Sequence, residues 1–406
     1  MSERLVITRH KNKILSMLMR GQREIRLELY DTDGGMLPGD IYIARVRDLV
    51  PNIGAAFAEI ARGTVCYFSL KENPEPIFLN PKNTSKVCQG DLLLVQIKKA
   101  AAKAKAPVAS SKITLAGKRL ALTREQAGSV GVSRKIKDRG LCDRLKAFVL
   151  PYVNGDYGFI VRTDAAEASE EEILSELYAL KDEYEALLSR AASRPAFTLL
   201  KRAESPLLQD VKAYRLTGED EIVTDLPDIY RELSEGVRGA AVRLYADELL
   251  PLTKLYDTEH RLEMALKPRV WLKSGGYLII EPTEALTVID VNTGKFDGSE
   301  RDMEKTFLKI NLEACAEIAR QLILRNISGI IIADFINMAD PRAADLLEKK
   351  MRELLAEDPV RAVFVEFTKL GLMEITRKKI RKPLREAAET DLGGAKAAYE
   401  NINRKI

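Results

Sequence analysis

The chain has 406 residues, 46% hydrophobic and 31% charged, with a formal net charge of +4, and that length points to two or more domains. It holds no run of about 18 apolar residues, and Met1 to Arg20 lacks a signal peptide's apolar core, so the expectation is a cytoplasmic protein with no membrane span. Four cysteines without a C-x-x-C pair and two histidines outside any motif argue against a zinc site, a disulfide framework and histidine-based catalysis, and they suggest buried free thiols.

Leu5-Val6-Ile7 reads as a strand, and Glu24 to Leu29 as another with clean period-two alternation. Asp33-Gly34-Gly35 closes that segment with a turn. Residues 39–110 look all-β. Ile41 to Val46, Ala55 to Ile60, Val65 to Phe68 and Leu92 to Ile97 are short strands between Gly and Pro turns, a pattern that suggests a small barrel. From Lys98 to Arg139 there are 12 Lys/Arg against 2 Asp/Glu, which suits a polyanion, although a solvated surface is the competing reading. Phe159 to Thr163 is a buried-looking strand. Glu170 to Ser193 is a long helix with Ser169 as N-cap, an acidic first turn and Pro195 just beyond its end.

Residues 207–266 mix helix and strand around Val211, Ile222, Val223 and Ile229, while Asp247 to Leu250 fits no element. Residues 268–385 are clearer. Tyr277 to Glu281 and Leu286 to Asp290 are strands, and a helix from about Arg301 to Leu324 carries Phe307, Ile310, Ala314, Ile318 and Leu322 at helical spacing. Gly329 to Asp334 is a continuous apolar strand, as expected for a sheet covered on both faces. Asp340-Pro341 opens a helix to about Leu355, and Arg361 to Phe367 is a further strand. The order β-β-α-β-α-β is an α/β layer architecture. Lys369 to Arg385 is again basic, with 7 Lys/Arg against 1 Glu.

Asp290 and Asp334 each close an apolar strand, and one helical crossover joins the two strands. If those strands are parallel neighbours, both carboxylates emerge at the same sheet edge, with Asn292 two residues on and pointing the same way. Two carboxylates and an amide make a hard oxygen site. Magnesium fits it best, with manganese as the alternative ion, and such an ion activates water and neutralises a phosphodiester. Taken alone, the pattern favours ordinary caps of strands or helices, since aspartate after a strand is common.

The surrounding words go further. Lys273-Ser274-Gly275-Gly276-Tyr277, Pro282 to Thr287 and Ile289-Asp290-Val291-Asn292 resemble the catalytic region of the ribonuclease E/G family. So do Asn311 to Ala314, Glu317 to Leu322, Ile332 to Ile336 and Gly371 to Arg377. Upstream, Gly39 to Tyr42 and Ala55-Ala56-Phe57 resemble the family's S1-like OB-fold, and Arg162-Thr163 resembles its sensor of a 5′-monophosphate. The resemblance implies an α/β multidomain chain. Its parts are an RNase H-like subdomain (1–38 and 207–267), an inserted OB-fold (39–111), a 5′-sensor (112–206), a DNase I-like catalytic subdomain (268–390) and a tail (391–406). It implies a magnesium-dependent endoribonuclease acting on single-stranded RNA, with a preference for 5′-monophosphorylated RNA. By resemblance, Asp290 and Asp334 hold the metal and Asn292 orients the scissile phosphate. Gly117, Arg162 and Thr163 bind the 5′-phosphate, and Phe57, Tyr67, Lys105 and Arg377 contact RNA.

Aromatic faces beside a basic segment suit single-strand binding, and a guanidinium suits a terminal phosphate. Barrel core is the competing reading for Phe57 and Tyr67, and a surface ion pair with the acidic helix is the one for Arg162. The sequence also departs from the family. No cysteine follows Lys382, so no zinc is expected, and whether the family's dimer-of-dimers forms is left open by the sequence. Asn337 stands where an acidic residue is common, and the loop at 293–299 is less basic than usual. The rival functions are an RNA-binding scaffold without turnover and a DNA-cleaving enzyme.

Overall fold

The computed structural model describes residues 2–32, 35–80, 84–101, 106–294 and 300–389. They fall into two compact units, one formed by Met1–Asp33 with Pro206–Asp391, the other containing Gly34–Ser205.

The first unit begins with β1 (Glu3–His10), β2 (Lys13–Arg20) and β3 (Arg23–Asp31), paired antiparallel in sequence. β2 is not among the strands expected from sequence. Its turns are two-residue hairpins in which Lys11 (φ 52°) and Gly21 (φ 61°) take left-handed backbone.

The second unit holds β4 (Ile41–Val50), β5 (Ala55–Ala61), β6 (Thr64–Ser69), β7 (Ile77–Phe78), β8 (Leu92–Lys99) and β9 (Val108–Ser110). Pairing runs β4-β5-β6-β9-β8 and returns to β4, which closes a five-stranded, OB-like barrel. Its core alternates small Ala44, Ala56 and Ala58 with large Phe68, Leu93 and Val95. Beyond it lie β10 (Thr114–Ala116), β11 (Leu120–Thr123), β12 (Val130–Val132), α1 (Arg139–Val149), β13 (Gly158–Val161), α2 (Glu170–Ser193) and β14 (Leu199–Lys201). Strands β10-β11-β13-β12 form one sheet, and α2 packs Leu177, Leu180, Tyr184 and Leu187 into the same core as Leu122 and Phe159. At the start of α2 the Glu172 N–H donates to Ser169 Oγ at 3.2 Å, and the Ser169 N–H donates to the Glu172 carboxylate at 3.1 Å. Such a capping box stabilises a helix start by about 1 kcal/mol.

The first unit resumes with α3 (Pro206–Ala213), β15 (Glu221–Thr224), α4 (Pro227–Gly236), β16 (Ala241–Leu244), α5 (Leu252–Leu255) and α6 (Thr258–Leu266). β15 and β16 join β1 in parallel, giving the order β16-β15-β1-β2-β3. A second sheet follows, built from β17 (Arg269–Trp271), β18 (Tyr277–Pro282), β19 (Leu286–Asn292), β20 (Gly329–Asp334), β21 (Ala362–Phe367) and β22 (Met373–Arg377). The crossover helix α7 (Glu300–Leu324) joins β19 to β20, α8 (Pro341–Ala356) joins β20 to β21, and α9 (Leu384–Glu389) follows β22.

This second sheet differs from expectation in two ways. β22 inserts between β20 and β21, antiparallel to both, so only β19 and β20 are parallel. The sheet is also covered on one face rather than both. Ile289, Val291, Ile331 and Ala333 share a buried cluster with Ile310, Ala314 and Ile318 of α7 and Leu347 and Met351 of α8. On the opposite face Val288, Ile330, Val363 and Val365 stay exposed, Ile330 at 49%. An unbroken apolar run cannot distinguish these cases, because the residues that face outward are apolar too.

Of the four cysteines, all free, Cys66 and Cys315 are buried, and burial pushes each thiol up to about 12. Cys88 is exposed and Cys142 half-buried. No helix among the described residues is long and apolar enough to cross a membrane.

Candidate active site

β19 and β20 lie in parallel register with Asp290 opposite Asp334. The two Cα atoms are therefore one strand spacing apart, about 4.8 Å. Asp334 is the last residue of β20, whereas β19 runs two residues past Asp290 to Asn292. Period-two alternation puts Val288, Asp290 and Asn292 on the open face, while Ile289 and Val291 point into the core. Both aspartates are exposed. The Asn292 side-chain amide donates to Asp290 Oδ2 at 2.7 Å, which holds that carboxylate in place. Neither aspartate has an ion-pair partner among the described residues, so two negative charges face each other uncompensated.

The backbone around the pair is clamped from below. Asn311 of α7 is fully buried. Its Nδ2 donates to the Ile336 carbonyl at 2.8 Å, and its Oδ1 accepts the Ile336 N–H at 3.1 Å. Both backbone groups two residues beyond Asp334 are thereby fixed. Glu313 of α7 accepts the N–H groups of Lys273 (2.6 Å) and Ser274 (3.1 Å), fixing the turn before β18. Partial burial alone would raise the Glu313 pKa, but these hydrogen bonds outweigh it and hold the carboxyl below its usual range. Gly276 follows that turn, and a Cβ there would meet the Asn292 carbonyl oxygen at 2.8 Å and the Ile310 side chain at 3.1 Å. Glycine is required at 276 because two backbones pass too closely for a side chain.

Two carboxylates with an amide beside them, open to water, are the donors a magnesium ion takes, since it keeps several waters and uses few protein ligands. Among the described residues no group of three or more His, Cys, Asp or Glu converges, so the donor set stays sparse. Asn337 is exposed just past Asp334. Of the loop at 293–299, residues 295–299 lie outside those described.

In the barrel, Phe57 and Tyr67 face each other across β5 and β6, half-buried, with ring centroids 6.3 Å apart. Their neighbours Ala56, Ala58, Cys66 and Phe68 fill the core, so the two rings point outward. Lys105 lies outside the described residues. Near β13, Arg162 is exposed, and its guanidinium donates to the Gly117 carbonyl. Thr163 Oγ1 and Ser133 Oγ lie 3.2 Å apart. Arg162 has no ion pair among the described residues. Arg119, not Arg162, pairs with the acidic helix, through Glu172 and Glu176. A Cβ at Gly117 would meet Glu176 Oε1 at 2.2 Å, so a side chain there would displace the glutamate that accepts the Arg119 and Leu120 N–H groups.

Arg377 is a correction. Its side chain is 0% exposed, its Nε donates to Asp358 Oδ2 at 2.7 Å, and its remaining nitrogens bond Asp358, Asn326 and the Ile327 carbonyl. No guanidinium face is left for RNA. Of the same basic run, Arg381 donates to Asp210 at 2.9 Å, so that run is partly internal rather than a polyanion surface.

Asp210 belongs to a group that sequence reading missed. Glu28 and Tyr30 of β3, Asp210 of α3, Arg26, Arg381 and Tyr214 meet in the first unit. Burial, then the neighbouring Glu28 carboxylate, pushes Asp210 up to about 7. Burial would raise Glu28 too, but Arg26 and several hydrogen bonds keep it below its usual range. No local motif marks this cluster, since its members lie some 180 residues apart in sequence.

An exposed carboxylate pair in register on an open sheet thus stands in a chain that also carries an OB-like barrel with outward aromatics. The chain belongs to the ribonuclease E/G family, whose model matches residues 114–380. It is 32% identical to ribonuclease G of Haemophilus influenzae over 378 residues, 89% of this chain and 76% of the relative. Its identity to ribonuclease G of Escherichia coli K12 is 33% over 378 residues, with the same coverage of both chains. Against ribonuclease E of Nostoc sp. it is 34% over 364 residues, 87% of this chain. The chain spans about half (52%) of that ribonuclease E and 76% of the ribonuclease G sequences.

Proposed function

We propose that this protein is a magnesium-dependent endoribonuclease of RNA processing and decay. It would hydrolyse single-stranded RNA in the cytoplasm and prefer 5′-monophosphorylated substrates. The single observation that carries the reading is the register match of Asp290 and Asp334, with Asn292 bonded to Asp290 on an open face. A magnesium ion bound there would neutralise phosphodiester charge and lower the pKa of an attacking water. Asp290 and Asp334 would hold the ion, and the Asn292 amide would keep Asp290 aimed and orient the scissile phosphate. In the family's terms, residues 268–390 are a DNase I-like catalytic part, residues 1–38 with 207–267 an RNase H-like part, and 39–111 an S1-like RNA-binding barrel.

Asp290→Asn and Asp334→Asn should each lower cleavage by about a thousandfold or more, since metal stabilisation of transition-state charge supplies several kcal/mol. RNA binding, read by fluorescence anisotropy, should persist. Retained cleavage by a purified variant would sink the assignment, and a wild-type chain that binds RNA without cutting it would favour the scaffold reading. The exposed Arg162, bonded to the Gly117 carbonyl and without an ion pair among the described residues, supports a 5′-phosphate subsite. Cleavage of 5′-monophosphorylated over 5′-hydroxyl RNA should be favoured about tenfold, and Arg162→Ala should abolish the difference. Equal rates in the wild type remove the sensor.

A further inference from the structure

The open face that carries Asp290, Asn292 and Asp334 continues across β18 to the edge strand β17. Asn292 lies opposite Tyr277, and Tyr277 lies opposite Trp271, so the three stand in one row across the sheet. Val270, Leu278 and Ile280 point into the core, leaving Trp271 and Tyr277 on the face of the carboxylates. Trp271 is 61% exposed. Its ring meets Tyr277 edge-on at 5.3 Å, and the Arg269 guanidinium lies 4.6 Å from the Tyr277 ring centroid and 5.6 Å from that of Trp271. Arg269 has no ion pair among the described residues, so its charge is available to an anion.

We propose that Trp271, backed by Tyr277 and Arg269, is a stacking platform for one base of the RNA being cut. The inference rests on the endoribonuclease reading and names a residue that positions substrate beside its site. A large exposed indole is costly to leave in water and has a π-face that any base covers. Arg269 stiffens the pair and supplies positive charge for the adjoining phosphate. The row from Asn292 to Trp271 spans two strand spacings, about 10 Å, close enough for one short stretch of RNA to touch both.

Trp271 is the only tryptophan in the chain, so fluorescence excited at the red edge of absorption, where the 13 tyrosines do not absorb, reports on it alone. Single-stranded oligoribonucleotide of mixed sequence is titrated into the full-length Asp334→Asn variant, with anisotropy of end-labelled RNA as an independent measure of binding. The expected result is saturable quenching with the same midpoint as the anisotropy. In a series carrying a single abasic site, one position should abolish the quenching. In the cleavage-competent chain Trp271→Ala should raise KM about tenfold, with the change falling on KM more than on kcat, while Trp271→Phe keeps most of the affinity. RNA bound by anisotropy with unaltered fluorescence, or an unaltered KM for Trp271→Ala, overturns the platform. So does fluorescence that follows protein concentration without RNA, together with a sedimentation shift in Trp271→Ala, since Trp271 would then meet a second copy. Full activity of Asp290→Asn would refute the catalytic reading and leave the quenching result standing.

Discussion

The first unit contains two carboxylate pairs that treat the same repulsion in opposite ways. Glu28 and Asp210 are withdrawn from water and surrounded by Arg26, Arg381, Tyr30 and Tyr214. Their mutual repulsion is answered from within, by arginines and by a proton that Asp210 keeps up to about pH 7. Asp290 and Asp334 stand in water with one amide bonded to Asp290 and no ion-pair partner among the described residues. The difference teaches where to look for function. A self-satisfied pair is part of the fold, whereas an uncompensated pair held rigidly in register awaits something from outside the chain.

Substitutions separate the two pairs most sharply. Asp290→Asn and Asp334→Asn should cost about 4 kcal/mol or more of transition-state stabilisation yet leave thermal melting unchanged or slightly raised, because a repulsion is relieved. A large fall in melting temperature would erase the contrast. Glu28→Ala should do the reverse. It leaves Arg26 largely buried without its partner and should cost about 3 kcal/mol in denaturant unfolding, with cleavage of RNA by the folded fraction intact.

The smallest effect is one of pH. Asp210 is raised to about 7 in the folded protein, so it favours the folded state at low pH. That stability is fully present below the usual carboxylate range and is lost as pH rises through about 7. Glu28, shifted downward, acts only at lower pH. Melting temperature should therefore fall between about pH 5 and about pH 8, and Asp210→Asn should flatten that slope. An equal slope in the variant would place the titration elsewhere.

Much of the candidate site was legible because its signals are local. Asp290 and Asp334 follow apolar strands, one helix lies between them, and parallel pairing then brings them side by side. Ser169 and Glu172 announced the start of α2 within four residues. What escaped depends on partners far along the chain. Arg377 reads as a surface cation until Asp358 and Asn326 are seen to enclose it. β22, only five residues long with a glutamate and a threonine among them, is held by pairing on both sides rather than by its own pattern. The open face of the second sheet was hidden because Ile330 and Ile332 look like core, and Trp271 drew no notice until register set it in line with Asn292.

Helix α7 grips Ile336 through Asn311, the 273–274 turn through Glu313, and β3 through Arg320, whose guanidinium bonds the Glu24 carbonyl at 3.2 Å. One rigid rod thus fastens both margins of the carboxylate pair to the sheet at the start of the chain. Such a site has no intermediate state of disrepair. The amide protons of Lys273, Ser274 and Ile336 should exchange with solvent at one common rate, set by the opening of that helix, and heat should extinguish the centre in a single step rather than by gradual fraying.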